Sequence, residues 1–344
     1  MEVVALQLTE ALSIQVDEAS QAAEARRGAA GLAARLGFLE VDRGRVAIMA
    51  TELAGNLVKH AGGGRLLMRA LTTEGVTGIE LMALDRGPGM ELNEALRDGF
   101  STAGSPGTGL GAVRRLAHQF DAYSLPTSGS AVLARLWAHP LPKSGRRPGI
   151  EVGGITIPKP RQAVCGDAWG VELGPDRSIL ILADGLGHGP LAAEASSAAI
   201  NVFHDCSRLG AEEILGQVHL ALKRTRGAAV GVAEIDSSRQ TLTFAGMGNV
   251  GGRVFSGERG HHLVAHNGTA GRTAGTIRGL SHPWPADGLV VMHSDGLVSH
   301  WNLVAYPGLT SHDPSLVAGV LYRDFARGDD DASVLVARVR GDQS

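Results

Sequence analysis

Cysteine is scarce in this chain of 344 residues: only Cys165 and Cys206 are present. They show no metal-ligand spacing, so reduced, buried thiols are expected rather than a disulfide or a zinc site. Long hydrophobic runs are missing too. Charges interrupt the apolar stretches well short of the roughly 20 residues a bilayer span needs, and the N-terminus has no basic-then-apolar secretory pattern. No membrane role is expected, and a cytoplasmic location is. Charge of one sign is also lacking. The net −3 divides into −2 over residues 1–140, +3 over 141–149 and −4 over 150–344. No basic face of the kind that grips nucleic acid follows from that distribution, so no nucleic-acid partner is expected. The sequence contains no internal repeat and no low-complexity tract.

What is there is an ordinary ordered composition, 44% hydrophobic and 19% charged, on a length that favours two domains with separate cores. The 48 glycines imply many tight turns. The stretch Pro140 to Gly149 mixes proline, glycine and basic residues without apolar periodicity, and reads as an exposed connector. The expected division is residues 1–139, a linker at 140–149, and residues 150–344. In the first part, strands are expected at 3–8 and 12–16, helices at 17–36 and 42–61 with Asp42 as a cap, strands at 64–73 and 76–85, a loop at 86–108, a helix at 109–118 and a hairpin over 119–138. That order gives an α/β sandwich. The second part reads as many antiparallel strands with helices at 189–206, 211–224 and 313–326, a two-layer β core flanked by helices.

Two acidic constellations stand out. In the first part, Glu52 and Asn56 lie four residues apart in helical spacing, so a carboxylate and an amide project from one face. Asn is a neutral oxygen ligand for Mg2+, and a Glu one turn away can take a proton from an attacking hydroxyl. Asp85 then ends an apolar strand, and Gly87 and Gly89 allow a sharp turn that brings backbone close to a flat ligand. Gly107, Thr108, Gly109, Leu110 and Gly111 open the next helix, offering free amides and a positive dipole end to phosphates.

Taken in order, Thr51-Glu52-Leu53-Ala54-Gly55-Asn56, Asp85-Arg86-Gly87-Pro88-Gly89-Met90 and the run Gly104 to Leu116 resemble the GHKL ATPases, a Bergerat-type α/β sandwich. Within them the resemblance is to the small serine/threonine kinases of bacterial stress switches, the RsbT type. It implies ATP and Mg2+ as cofactors, Glu52 as the base, Asn56 as the Mg2+ ligand, Asp85 as the acceptor of the adenine amino group, and 86–108 as a lid. No dimerisation helix with a suitable His precedes the motifs, so a protein hydroxyl is the expected phosphate acceptor.

In the second part, Ile179 to Ala183 form an apolar run that leads into Asp184-Gly185-Leu186-Gly187-His188-Gly189. Asp184 can bridge two cations while the Gly185 carbonyl adds a neutral ligand. Asp167 lies upstream. Met292-His293-Ser294-Asp295-Gly296 and the Asp329-Asp330-Asp331 cluster lie downstream. Carboxylates gathered without Lys or Arg beside them in sequence would repel one another if buried together, and bound divalent ions relieve that repulsion. A pair of such ions can activate water for in-line attack on a phosphate monoester. His188 reads as a capping residue at a helix start and Arg161 as a solvated arginine.

Residues 150–340 resemble the SpoIIE branch of PPM-type metal-dependent serine/threonine phosphatases, an αββα sandwich, and most closely its compact RsbX-like members. The resemblance implies two Mn2+ or Mg2+ ions. Asp184 and Gly185 would serve the metals, Asp295 and Asp330 would complete the second, and Asp167 would hold the first through water. The Asp-Asp-x-Ser spacing favours Asp330, with Asp329 and Asp331 left open. Together the two resemblances imply a bifunctional kinase and phosphatase acting on STAS-type partner-switching proteins, of the anti-anti-sigma or stressosome type. They allow a sigma factor as a further partner and a homodimer through the GHKL domain. The alternative is a SpoIIE-type phosphatase whose first domain is an anti-sigma factor or ATP sensor without kinase activity.

Overall fold

A computed structural model describes residues 11–73, 75–96, 109–142, 148–257 and 259–340. The strand expected at 3–8, the glycine run through Gly107 and Thr108, and the middle of the expected linker lie outside the described residues. The chain divides into two compact units, one ending at Lys143 and the other beginning at Ser144.

The first unit runs β1 (Ala11–Val16), α1 (Ala19–Arg35), α2 (Glu40–Ala61), β2 (Gly64–Thr73), β3 (Val76–Leu84), α3 (Leu92–Ala95), α4 (Gly109–Leu116), β4 (Gln119–Leu125) and β5 (Gly129–Trp137). The strands form one antiparallel sheet in the order β1-β2-β3-β5-β4. Leu32, Val46, Leu53 and Leu57 of the helices meet Leu66, Ile79, Leu81 and Val132 of the sheet in one buried core. Strand side chains alternate between faces, so residues two apart supply that core. Asp42 is not the cap of α2. The helix starts at Glu40 after Leu39, with no side-chain cap, and Asp42 instead pairs with Arg45 at 3.0 Å. The stretch expected to be a loop contains the short α3.

The second unit contains β6 (Ile150–Ile157), β7 (Asp167–Leu173), β8 (Arg177–Gly185), α5 (Pro190–Cys206), α6 (Ala211–Ala221), β9 (Ala228–Asp236), β10 (Thr241–Met247), β11 (Gly251–Ser256) and β12 (Arg259–His262). It continues with β13 (Gly268–Thr269), β14 (Thr273–Ala274), β15 (Gly279–Pro283), β16 (Leu289–His293), α7 (Pro314–Phe325) and β17 (Ala332–Val339). Two five-stranded sheets result, β15-β10-β9-β8-β7 and β12-β11-β16-β17-β6. Helices α5 and α6 cover the first sheet and α7 packs on β6 and β17 of the second, which makes an αββα sandwich. Phe203, Ile214 and Val218 pack against Ile179, Ile181 and Val230 beneath the first pair of helices. Neither sheet closes into a barrel. Among the described residues no helix is long and apolar enough to cross a membrane.

Candidate active sites

In the first unit the sequence motifs surround one cavity of about 330 Å3, lined by Glu52, Asn56, Asp85, Gly89, Gly109 and Leu110 among others. Glu52 and Asn56 reach it from the same face of α2, because one helical turn separates them. Asp85 follows the end of β3 and is buried at 8% exposure. Its Oδ1 accepts the Gly87 N–H at 2.8 Å and the Ser130 N–H at 3.2 Å, so the carboxylate is fixed by the turn it begins.

The two glycines of that turn are required by contact. A Cβ on Gly87 would lie 2.7 Å from Ala61 Cα, and one on Gly89, at φ +77°, would lie 2.3 Å from the Leu125 carbonyl. Gly111 is buried within α4 and does not line the cavity. Ser130, Met90, Lys59 and His60 do line it, and sequence reasoning missed them. Ser130 had no local signal, because its place beside Asp85 depends on the pairing of β3 with β5. The cavity pairs an apolar floor with a fixed carboxylate and an amide-bearing helix, a donor set that fits a purine nucleotide and its Mg2+.

In the second unit the acids converge at one end of the two sheets. Asp167 opens β7 and Asp184 lies one residue before the end of β8; the two are direct register partners. Asp295 follows β16 and Asp330 precedes β17. Those strand ends are locked by Ser294, whose N–H donates to the Ser333 carbonyl at 3.1 Å and whose Oγ accepts the Ser333 N–H at 2.9 Å.

Asp331, 3% exposed, ties the sheets together. Its Oδ1 accepts the Lys159 N–H at 2.8 Å and its Oδ2 the Gly166 N–H at 2.9 Å, holding the connector that leads into Asp167. Asp329 is exposed. Gly185 donates its N–H to the Gly166 carbonyl at 3.1 Å, and α5 crosses so closely that a Cβ there would sit 2.1 Å from the Ala192 carbonyl. His188 is exposed and does not cap α5; Gly189 does. Arg161 is exposed, with φ +68°.

Electrostatics bind these acids into one group. Burial, with the charges of Asp167, Asp295 and Asp330 acting in the same direction, raises the Asp184 carboxyl to about 9. Burial likewise raises Asp167 to about 7, restrained by the nearby Ser294 and Ser333 hydroxyls and reinforced by Asp331. Burial and Asp330 raise Asp295, while Arg327 opposes them. Both oxygens of Asp167 are nonetheless buried without a hydrogen-bond partner. An orphaned carboxylate among three like-charged neighbours is costly unless a cation or protons balance it, so the donor set fits divalent metal. Among the described residues no three acidic, imidazole or thiol groups close into a finished metal cage. Asn249, which donates to Asp295 Oδ2, carried no motif in the sequence.

Fold and sites thus define two catalytic classes in one chain, a kinase-like ATPase domain and a PPM-type serine/threonine phosphatase domain. Residues 15–136 match the histidine kinase-like ATPase domain family, and residues 174–340 match the stage II sporulation protein E (SpoIIE) family. The chain belongs to the partner-switching family of RsbT-type kinases, fused to a SpoIIE-type phosphatase domain.

The chain is 35% identical over 114 residues to the serine/threonine-protein kinase RsbT of Bacillus subtilis, covering 33% of this chain and 86% of that protein. It is 30% identical over 92 residues to the phosphoserine phosphatase RsbX of the same organism, covering 27% of this chain and 46% of that one. A solved structure described as "The bacterial stressosome: a modular system that has been adapted to control secondary messenger signaling" is 27% identical, with a TM-score of 0.52 over 55% of this chain and 99% of its own. The PP2C phosphatase domain of SpoIIE with a fragment of its regulatory domain, from Bacillus subtilis, is 18% identical at a TM-score of 0.50, over 78% of this chain and 80% of its own, and supports the fold alone.

Proposed function

We propose that the chain is a bifunctional enzyme of a partner-switching pathway, with a kinase domain at 1–139, a linker at 140–149 and a phosphatase domain at 150–344. The phosphatase half removes phosphate from a Ser or Thr of a STAS-type phosphoprotein. The observation that carries this is the buried, unpartnered carboxylate of Asp167 set against Asp184, Asp295 and Asp330. Asp184, the Gly185 carbonyl, Asp295 and Asp330 would hold two Mn2+ or Mg2+ ions, with Asp167 acting on one through water. Bound there, such ions supply Lewis acidity and an activated water. The protein's own part is to fix the acids by strand register, shut bulk water from Asp167 and hold protons on the carboxyls until a cation displaces them.

In the kinase half, Asp85 would accept the adenine amino group. Gly87 and Gly89 with Gly109 and Leu110 would bring backbone to the nucleotide, while Gly111 packs inside α4; Asn56 would hold Mg2+, and Glu52 would take the proton from the attacking hydroxyl. Similarity to RsbT supports this half, and a kinase that draws on ATP would act in the cytoplasm. Opposing activities in one chain would consume ATP without result unless they act on different phosphosites or are switched.

Purified protein with Mn2+ is expected to hydrolyse p-nitrophenyl phosphate and a phosphorylated STAS protein, and Asp184→Asn to reduce that activity by at least a hundredfold. Wild-type protein inert toward both substrates would overturn the phosphatase assignment. Transfer of radiolabelled phosphate from ATP to a STAS protein, lost in Glu52→Ala, tests the kinase. An ATP-dependent change in phosphatase rate without transfer would replace the kinase by a sensor.

A further inference from the structure

The turn between α6 and β9 lies beside the acid cluster and supplies none of the ligands proposed above. Thr225 fixes it: the hydroxyl accepts the Gly227 N–H at 3.0 Å and donates to the Leu222 carbonyl at 2.8 Å. The Gly227 carbonyl in turn accepts the Leu186 N–H at 3.0 Å. Leu186 directly follows Asp184 and Gly185, whose register partners in β9 are Ala229 and Ala228. Arg226 therefore stands at the same end of the β8–β9 pair as Asp184.

The Arg226 guanidinium lies against the turn after Gly185, since a Cβ on Gly187 would be 3.0 Å from its Nη1. A second arginine backs it, Arg272, whose Nε donates to the Arg226 carbonyl at 3.1 Å. Among the described residues neither arginine forms an ion pair, and the guanidinium of Arg226 makes no hydrogen bond.

An arginine beside a carboxylate cluster is ordinarily drawn into it. Arg327 acts on the cluster through its charge, which opposes the rise of the Asp295 carboxyl. Arg226 is an exposed side chain on a turn whose backbone is locked, with its fork of donors unspent, and a second cation behind it raises the local positive potential. That arrangement suits a tetrahedral dianion, which the guanidinium fork can grip through two oxygens at once.

We propose that Arg226 is the residue that binds the substrate phosphoryl group at the phosphatase site, with Arg272 reinforcing its charge; the assignment rests on the phosphatase reading above. Arg226 thereby takes the substrate's charge while the acids remain available to metal.

The test compares the full-length wild type with Arg226→Ala, Arg226→Lys and Arg327→Ala at saturating Mn2+, using a phosphoserine peptide as substrate and inorganic phosphate as competitive inhibitor. Arg226→Ala is expected to raise both KM and the phosphate inhibition constant at least tenfold, with the Mn2+ concentration for half-maximal activity unchanged. Arg226→Lys should recover part of the loss, because it restores the charge without the fork. Values within twofold of wild type in Arg226→Ala, or the same loss appearing in Arg327→Ala instead, would overturn the assignment while leaving the phosphatase standing. A wild type without Mn2+-dependent hydrolysis would overturn both.

Discussion

Neighbouring aspartates in this chain have different work, and their hydrogen bonds divide them. Asp331 has both carboxylate oxygens engaged by backbone N–H groups of the connector that carries Asp167, which makes it a brace. Among the described residues Asp330 accepts the Asp331 N–H alone and acts electrostatically on Asp184 and Asp295, which suits it to a cation. The two should separate by substitution. Asp331→Asn must turn an amide N–H toward either Lys159 or Gly166, leaving a buried donor facing a donor, and is expected to cost about 1–3 kcal/mol of stability. Asp330→Asn removes a repelling charge from the cluster, so it should leave thermal stability unchanged or higher without metal while weakening Mn2+ binding at least tenfold. Thermal unfolding with EDTA and Mn2+ titration of activity check both. The same pattern in the two variants would remove the distinction.

At the scale of elements, apolar periodicity made α2, β2, β3, β8 and α5 legible, because each buries one face or both in a core. The chemistry-bearing residues at their ends were legible for the same reason: an apolar strand followed by Asp and Gly places a carboxylate at a sheet edge, as at Asp184 and Asp295. Short elements were not. Strands β13 and β14 have two residues each, too few to show a period, and β12 spans only Arg259–His262, with every residue exposed. Nor could sequence show Asp331 as a brace, since its partner Lys159 is 172 positions away.

Glycines give an element-scale test. Gly185 faces the Ala192 carbonyl of α5 with no room for a Cβ, whereas Gly216 inside α6 meets nothing within 4 Å. Gly185→Ala is expected to displace the start of α5, costing about 1–3 kcal/mol or more and most phosphatase activity. Gly216→Ala should stabilise by about 0.5–1 kcal/mol through helix propensity alone. Paired thermal melts and rates decide this, and equal effects at the two positions would contradict the close packing of α5 on β8.

For the whole molecule, the acid cluster ties folding to pH and metal. The folded-state carboxyl of Asp184 lies near 9, against an ordinary 3.8 when unfolded, and Asp167 is raised in the same sense to about 7. Between those limits the folded chain binds more protons than the unfolded one, so stability falls as pH rises, by up to about 1.4 kcal/mol per pH unit for each proton involved. As far as this cluster is concerned, metal-free protein should therefore be most stable at and below pH 3.8, the unfolded carboxyl value, and lose stability progressively toward pH 9. A divalent cation substitutes for the protons and stabilises the folded state by mass action, so Mn2+ should flatten the slope and release protons on binding. Asp184→Asn, which cannot ionise, should flatten it without metal. Unfolding free energies from urea titrations between pH 5 and pH 9, with EDTA and with Mn2+, measure these slopes. A wild-type slope in EDTA no steeper than that of Asp184→Asn would mean that the carboxylates at the ends of β7, β8 and β16 do not share one low-dielectric site, and the metal-dependent reading would lose its physical basis.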